Sequence, residues 1–404
     1  MKRKILLISL LTGILFLTAC DFFPEPVDPN QPDLGESEVG EETGEDTDNE
    51  ISTVDIQVDS EYYRPVISED GTYTPSQHRG ITRQLNSGVN IRTFESDLMR
   101  HSQRYFSTET HFLQEGQFLS ANEVYSWLAR YEEPAEPEEA EEGEEVEEVE
   151  EVEESLGLNP PSNGSLDPEE RNPNYLSSIL EHDFYIQTEN GLELAGLSIG
   201  LALNSVDYYS DELGTPFQQS ISTDELLEEG QRMSDEVIAR LRAKEGLENV
   251  PIMIALYEQS TQDDLAPGTY IAVGISEDGD SSVSEWNAIN EDRLVFPLEG
   301  MQSAEGNSFA NFRSEVENFF PNISGVTGVA HYVEEQLVHL QIDIMIQFYG
   351  KGEIIAFTQF LNEAALNYLP ATTPIEIRVE SLNGMESFLY RENDQEEFEV
   401  FIYN

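Results

Sequence analysis

Four sets of residues carry types and spacings that could do chemistry. Cys20 is the only cysteine in the 404-residue chain, so no disulfide can close within one copy and the thiol is left for a single covalent task or as a free group. Gly196-Leu197-Ser198-Ile199-Gly200 matches the G-x-S-x-G pattern of hydrolase nucleophile elbows, which need a sharp strand-to-helix turn at the serine. Leu192, Leu194, Leu197, Ile199, Leu201 and Leu203 instead form one extended run through Ser198, where glycines mark a bulge or close packing; no catalytic role is expected there. The six histidines, His78, His101, His111, His182, His331 and His339, lack metal-ligand spacing, and no EF-hand or phosphate-binding glycine loop occurs. Neither a metal nor a cofactor is expected. His331 and His339 would share a strand face if no break intervened, but Glu335-Gln336 suggests one. Finally Arg64, Arg79, Arg83, Arg92 and Arg100, with Arg104 and Arg130, crowd into one acidic neighbourhood. Their forks suit carboxylate or phosphate, so a possible anion-binding site competes with plain ion pairing to Glu61, Glu95 and Asp97.

The elements that would position these groups follow from composition and periodicity. A formal net charge of -61 excludes nucleic acid as a natural partner, because phosphate backbones repel such a surface. Lys2, Arg3 and Lys4 precede an apolar run from Ile5 to Leu17, too short to span a bilayer and followed by small residues. Residues 1–19 therefore read as a cleaved signal peptide. Residues 20–60 read as a disordered acidic tether, poor in the apolar groups that ordering requires and able to reach about 35 Å.

Order is expected from Glu61, within an N-terminal segment over 61–172 that contains an acidic loop at 131–155, with an acidic helix as the rival reading of that loop. Helices are predicted over Thr93–Phe106 and, from a Ser120/Glu123 capping box, to about Arg130. Beyond lies a repeated order of helix, strand, long strand, helix, strand, strand. In the first repeat, 173–300, it comprises a short helix around Tyr175 to Leu180, Asp183–Gln187, a long strand Leu192–Tyr209, a helix capped by Ser222, and Val250–Gln259 with Thr269–Ser276. In the second, 301–404, it comprises a helix around Phe309 to Phe320, Val329–Val333, Leu337–Phe348, the helix Glu353–Leu369, and the hairpin around Asn383-Gly384, with a last strand Phe398–Tyr403. The fold class is therefore α+β: two tandem repeats, offset by about 140 residues, with mainly antiparallel sheets and packed helices after a mixed N-terminal segment.

Leu17-Thr18-Ala19-Cys20 resembles the lipobox of bacterial lipoprotein precursors. That resemblance implies a diacylglyceryl group on Cys20, cleavage before it by the signal peptidase for lipoproteins, and anchoring in membrane lipid at the outer face of the cell membrane. The residue-level alternative is a secreted protein with a free N-terminal thiol. Tyr62-Tyr63-Arg64-Pro65-Val66-Ile67, His78-Arg79-Gly80-Ile81, Asn90-Ile91-Arg92-Thr93-Phe94-Glu95, Gln114-Glu115-Gly116-Gln117, Trp127-Leu128 and the run Gly191 to Asn204 resemble the CamS family, sex-pheromone precursor lipoproteins of Gram-positive bacteria. The family implies that a short apolar peptide is trimmed from the end of the signal sequence and sensed through a pheromone receptor by plasmid-bearing cells, which then mate. Here that stretch is Gly13, Ile14, Leu15, Phe16, Leu17, Thr18 and Ala19. It departs from the best-known family peptide at several positions, and the acidic insertion after Arg130 is unusual. The resemblance supplies no catalytic residue for the body. The alternative reading is an extracellular binding lipoprotein for a wall component, small molecule or partner protein, acting through the repeat junction or the arginine-rich segment.

Overall fold

The computed structural model describes residues 51–53, 57, 59–68, 70–78, 80, 85–132, 156–298, 303–319, 323–347, 350–393 and 395–403. The signal peptide, most of the acidic tether, Arg79, Arg83 and nearly all of the acidic loop lie outside them. Among the described residues there are five helices and three sheets.

The larger sheet is built from β1 (Ile51–Thr53), β2 (Arg64–Ser68), β3 (His111–Glu115), β4 (Leu176–Thr188), β5 (Gly191–Asn204), β8 (Ile252–Gln259), β9 (Thr269–Ser276) and β10 (Trp286–Ala288), in that spatial order. A separate hairpin pairs β6 (Val206–Ser210) with β7 (Pro216–Ser220). Helix α1 (Gly88–Ser102) packs Phe94 and Leu98 on one face of the large sheet, against Met253, Ala255 and Tyr257. Helices α2 (Ala121–Leu128) and α3 (Thr223–Arg242) cover the other face, where Leu226, Met233, Val237 and Leu241 meet Ile199, Leu201, Ile254 and Leu256. Each side chain buried in this way stabilises the fold by about 1.5–3 kcal/mol.

Covering both faces explains one departure from expectation. Tyr175 to Leu180 was expected to be helical, yet β4 begins at Leu176 and runs through the expected strand as one element. With helices above and below, a strand is apolar on both sides, so its hydrophobic residues fall at spacings that imitate a helix face. Several boundaries also differ, among them that of α1, which runs over Gly88–Ser102 where Thr93–Phe106 was expected. The long strand expected to Tyr209 stops at Asn204, and the chain turns at Ser205 into β6. Ile51–Thr53, inside the expected tether, pairs with β2.

The second sheet has the order β11 (Glu291–Phe296), β12 (Ile323–Val333), β13 (Gln336–Ile346), β14 (Ile375–Ser381), β15 (Gly384–Arg391) and β16 (Glu399–Ile402). Helices α4 (Ala304–Phe319) and α5 (Lys351–Tyr368) bury Phe309, Phe312, Phe357 and Leu361 against one face only. The duplication is plain in the pairing. β3 to β4, β4 to β5 and β8 to β9 are antiparallel while β5 to β8 is parallel. β11 to β12, β12 to β13 and β14 to β15 are antiparallel while β13 to β14 is parallel. In both halves a helix links the first two strands and a second helix makes the parallel crossover. The matching run of strands begins at β3 in one half and at β11 in the other, and the helix between its first two strands is α2 in the first and α4 in the second.

Candidate functional site

Ser198 lies inside β5 with its side chain fully buried. Its hydroxyl is 2.8 Å from Ser102 Oγ and donates toward Met253 Sδ at 3.5 Å. No turn exposes it, and although His182 stands directly opposite it on β4, both hydrogen bonds of the Ser198 hydroxyl go elsewhere. The flanking glycines serve close packing: a Cβ on Gly196 would sit 2.1 Å from the Phe106 ring. The ladder shifts register there too, Phe184 pairing with Gly196 and Tyr185 with Leu194.

Of the arginines considered for anion binding, Arg79 and Arg83 fall outside the described residues. The other three do not converge. Arg64 lies 4.2 Å over the Phe112 ring and donates to the Glu109 carbonyl at 3.1 Å. Arg100 grips both oxygens of Glu291, from Nη1 at 3.0 Å and Nη2 at 2.7 Å. Arg92 is exposed on α1 and lines a cleft of about 430 Å³ at the junction of the two repeats.

That junction is where the ionisable side chains of both halves meet. Glu291, at the start of β11, also accepts from His331 Nε2 at 2.9 Å. Burial alone would raise the Glu291 carboxyl, but the His331 hydrogen bond and the Arg100 fork outweigh it and bring it down to about 2. Arg293, two residues on, donates to Asp97 of α1 at 2.6 Å and to the Gly268 carbonyl at 3.0 Å. His101 packs edge-on to Tyr270, and burial followed by the Arg100 charge holds its imidazole down to about 4. His331 and His339 turn out to be direct cross-strand partners, because Glu334 and Glu335, both at positive φ, turn the chain back between them. Both line the cleft, with Ser96 and Gln341.

A second cluster went unnoticed in the sequence. Glu181 and Asp183 point from the same face of β4 under the loop 116–119. Asp183 Oδ2 accepts from Gln117 N at 2.8 Å, while Glu181 accepts from Phe118 N and Leu119 N, both at 2.9 Å. Gly116 permits this approach, since a Cβ there would lie 2.5 Å from Glu181 Cβ. Burial and the Glu181 charge push the Asp183 carboxyl well up. No donor is aimed at Asp183 Oδ1, so a proton retained on it and shared toward Glu181 satisfies the pair. His78 donates from Nδ1 to the Leu119 carbonyl at 3.0 Å, which fixes the end of the same loop. Among the described residues, no group of three or more His, Cys, Asp or Glu could hold a metal ion, and no helix is long and apolar enough to cross a membrane.

Two α+β repeats joined through an ion-paired junction define a duplicated fold in which one buried pair of acids holds the loop 116–119 in place. Residues 73–397 match the family described as CamS sex pheromone cAM373 precursor, and the chain belongs to that family. A crystal structure of a sex pheromone precursor from Lactobacillus salivarius is similar, with 32% identity and a TM-score of 0.77 over 88% of this chain and 99% of that one. The C-terminal domain of the sex pheromone staph-cAM373 precursor from Staphylococcus aureus follows, at 29% identity and a TM-score of 0.67 over 80% and 99%. No relative among curated proteins matches.

Proposed function

We propose that the protein is a membrane-anchored surface lipoprotein whose leader releases an apolar heptapeptide that induces plasmid transfer. The observation that carries this reading is the position of the only cysteine, directly after Leu17-Thr18-Ala19, in a chain that belongs to a pheromone precursor family. Thioether formation at Cys20 and cleavage of the bond from Ala19 leave two products with separate fates. The mature chain keeps its acyl chains at its N-terminus, and more than one chain is what makes anchoring stable. The fragment ending at Ala19 is trimmed to Gly13–Ala19, an uncharged peptide suited to an apolar receptor pocket.

Radiolabelled palmitate fed to cells expressing the protein is expected to label the native chain. Cys20→Ser is expected to lose the label completely and to accumulate as a precursor heavier by the uncut leader. Label retained by Cys20→Ser would place the acyl group elsewhere and remove the basis for cleavage at Ala19.

A further inference from the structure

In so acidic a chain an arginine without a partner is unusual. Among the described residues, Arg92 is the one arginine or lysine with no hydrogen bond, ion pair or ring contact. Even exposed cations elsewhere are engaged, as Arg313 is by Glu317 at 2.7 Å and Arg232 by Glu229 at 2.8 Å. Arg92 instead faces a cleft lined also by Thr93, Ser96, His331, His339 and Arg293, whose guanidinium is already bonded to Asp97 and the Gly268 carbonyl. The cleft's Asp343 is already bonded by Gln341 Nε2 at 2.9 Å. Val89, Leu265 and Val329 supply apolar walls. The volume, about 430 Å³, suits a small ligand group.

The floor of this cleft continues onto the face of the second sheet that α4 and α5 leave uncovered. Asp343 on β13 neighbours Arg378 on β14, which pairs with Phe388 on β15, which pairs with Phe401 on β16. A parallel row runs from Gln341 through Glu376 to Tyr390. At a strand spacing of about 4.8 Å, the aromatic group begins about 10 Å from the cleft floor. Phe388 lies 6.4 Å from both Tyr390 and Phe401, with ring planes 7° and 27° apart, and Phe401 is half exposed. Between cleft and rings, Arg378 is held by Glu376 at 2.7 Å, presenting fixed donors and acceptors.

We propose that this surface binds an extended acidic saccharide, its carboxylate paired with Arg92 in the cleft and its neutral rings lying along the uncovered sheet face. Aromatic rings offer apolar surface to sugar C–H faces, and the Arg378–Glu376 pair meets hydroxyls, which both donate and accept. An acidic peptide would meet Glu376 and Glu399 along the second of these rows and Glu380 beside the first, so negative charge is matched at the Arg92 end alone. This inference concerns the body and is independent of what the leader does.

The test is equilibrium titration of the purified full chain with two tetrasaccharides. One carries a single lactyl carboxylate, on an N-acetylmuramic acid unit at one end of three N-acetylglucosamine units; the other is N-acetylglucosamine throughout. The acidic compound is expected to bind about tenfold more tightly, a preference that salt reduces. Arg92→Ala is expected to abolish the preference, and Phe401→Ala to weaken both compounds about tenfold. Arg92→Ala should unfold at the native temperature, since its side chain is exposed and unpaired, and Phe401→Ala, which loses only the half-buried contact with Phe388, within about 5 °C of it. Equal affinities in the native protein, a preference that survives Arg92→Ala, or no binding of either compound would overturn the proposal.

Discussion

Glu181→Ala is expected to lower the unfolding free energy by about 3–5 kcal/mol at pH 7, measured by urea denaturation. Glu181 is wholly buried, and without its carboxylate the amides of Phe118 and Leu119 lose their acceptors in a site closed to water. The neighbouring acid should behave differently. Burial and the Glu181 charge favour the protonated form of Asp183, and Asp183→Asn keeps a donor toward Glu181 and an acceptor for Gln117 N, so its effect at pH 7 should stay within about 1 kcal/mol. The folded-state carboxyl titrates well above its ordinary 3.8, so the folded chain binds more protons than the unfolded one. Stability therefore falls as pH rises above that value, and Asp183→Asn should flatten this decline. If the variant is as damaged as Glu181→Ala, or the decline survives in it, the shared proton is not there.

Acid should act on the junction with the opposite sign. Glu291 titrates at about 2 in the folded protein against an ordinary 4.5. The stability it contributes is fully present above 4.5 and disappears as pH falls toward 2, about 3 kcal/mol in all. Glu291→Gln is expected to remove most of this acid dependence and, by leaving Arg100 and His331 without their charged partner, to cost about 3 kcal/mol at pH 7. The two carboxyl sites thus give opposing slopes against pH, and each variant erases one of them. An unchanged acid limb in Glu291→Gln would show that the junction does not depend on this ion pair.

What the sequence revealed and what it hid divide along the range of the interactions. Ser120 with Glu123 forms the expected capping box, and Ser222 accepts from Glu225 N at the start of α3. Asn190-Gly191 and Asn383-Gly384 turn their hairpins with glycine φ of 120° and 124°, conformations that favour glycine and that the letters announce. The repeated order was legible for the same reason, since each element carries its own local signals. Strand β4 was not, because its periodicity depends on helices that cover both its faces.

The charged sites were hidden by distance. Arg100 and Glu291 are 191 residues apart, and Asp97 and Arg293 are 196 apart, so arginine-rich sequence could suggest an anion site without showing which carboxylates engage it. Leu180-Glu181-His182-Asp183-Phe184 did carry a signal: three ionisable residues in succession inside an apolar strand, two of them on one face. Such a pair must be bonded or protonated once buried. Arg92, by contrast, looked like any other arginine of its segment, and only the structure separates it from those already paired.

On the proposed function, the short apolar peptide next to Cys20 acts as a signal. Synthetic Gly13–Ala19, applied to plasmid-bearing responder strains beside the same residues in scrambled order, tests it most directly. Clumping of responders and a rise in plasmid transfer of at least about tenfold, with the native order alone, is the predicted result. No response in any strain of a panel that answers other pheromones, or an equal response to the scrambled peptide, would contradict it.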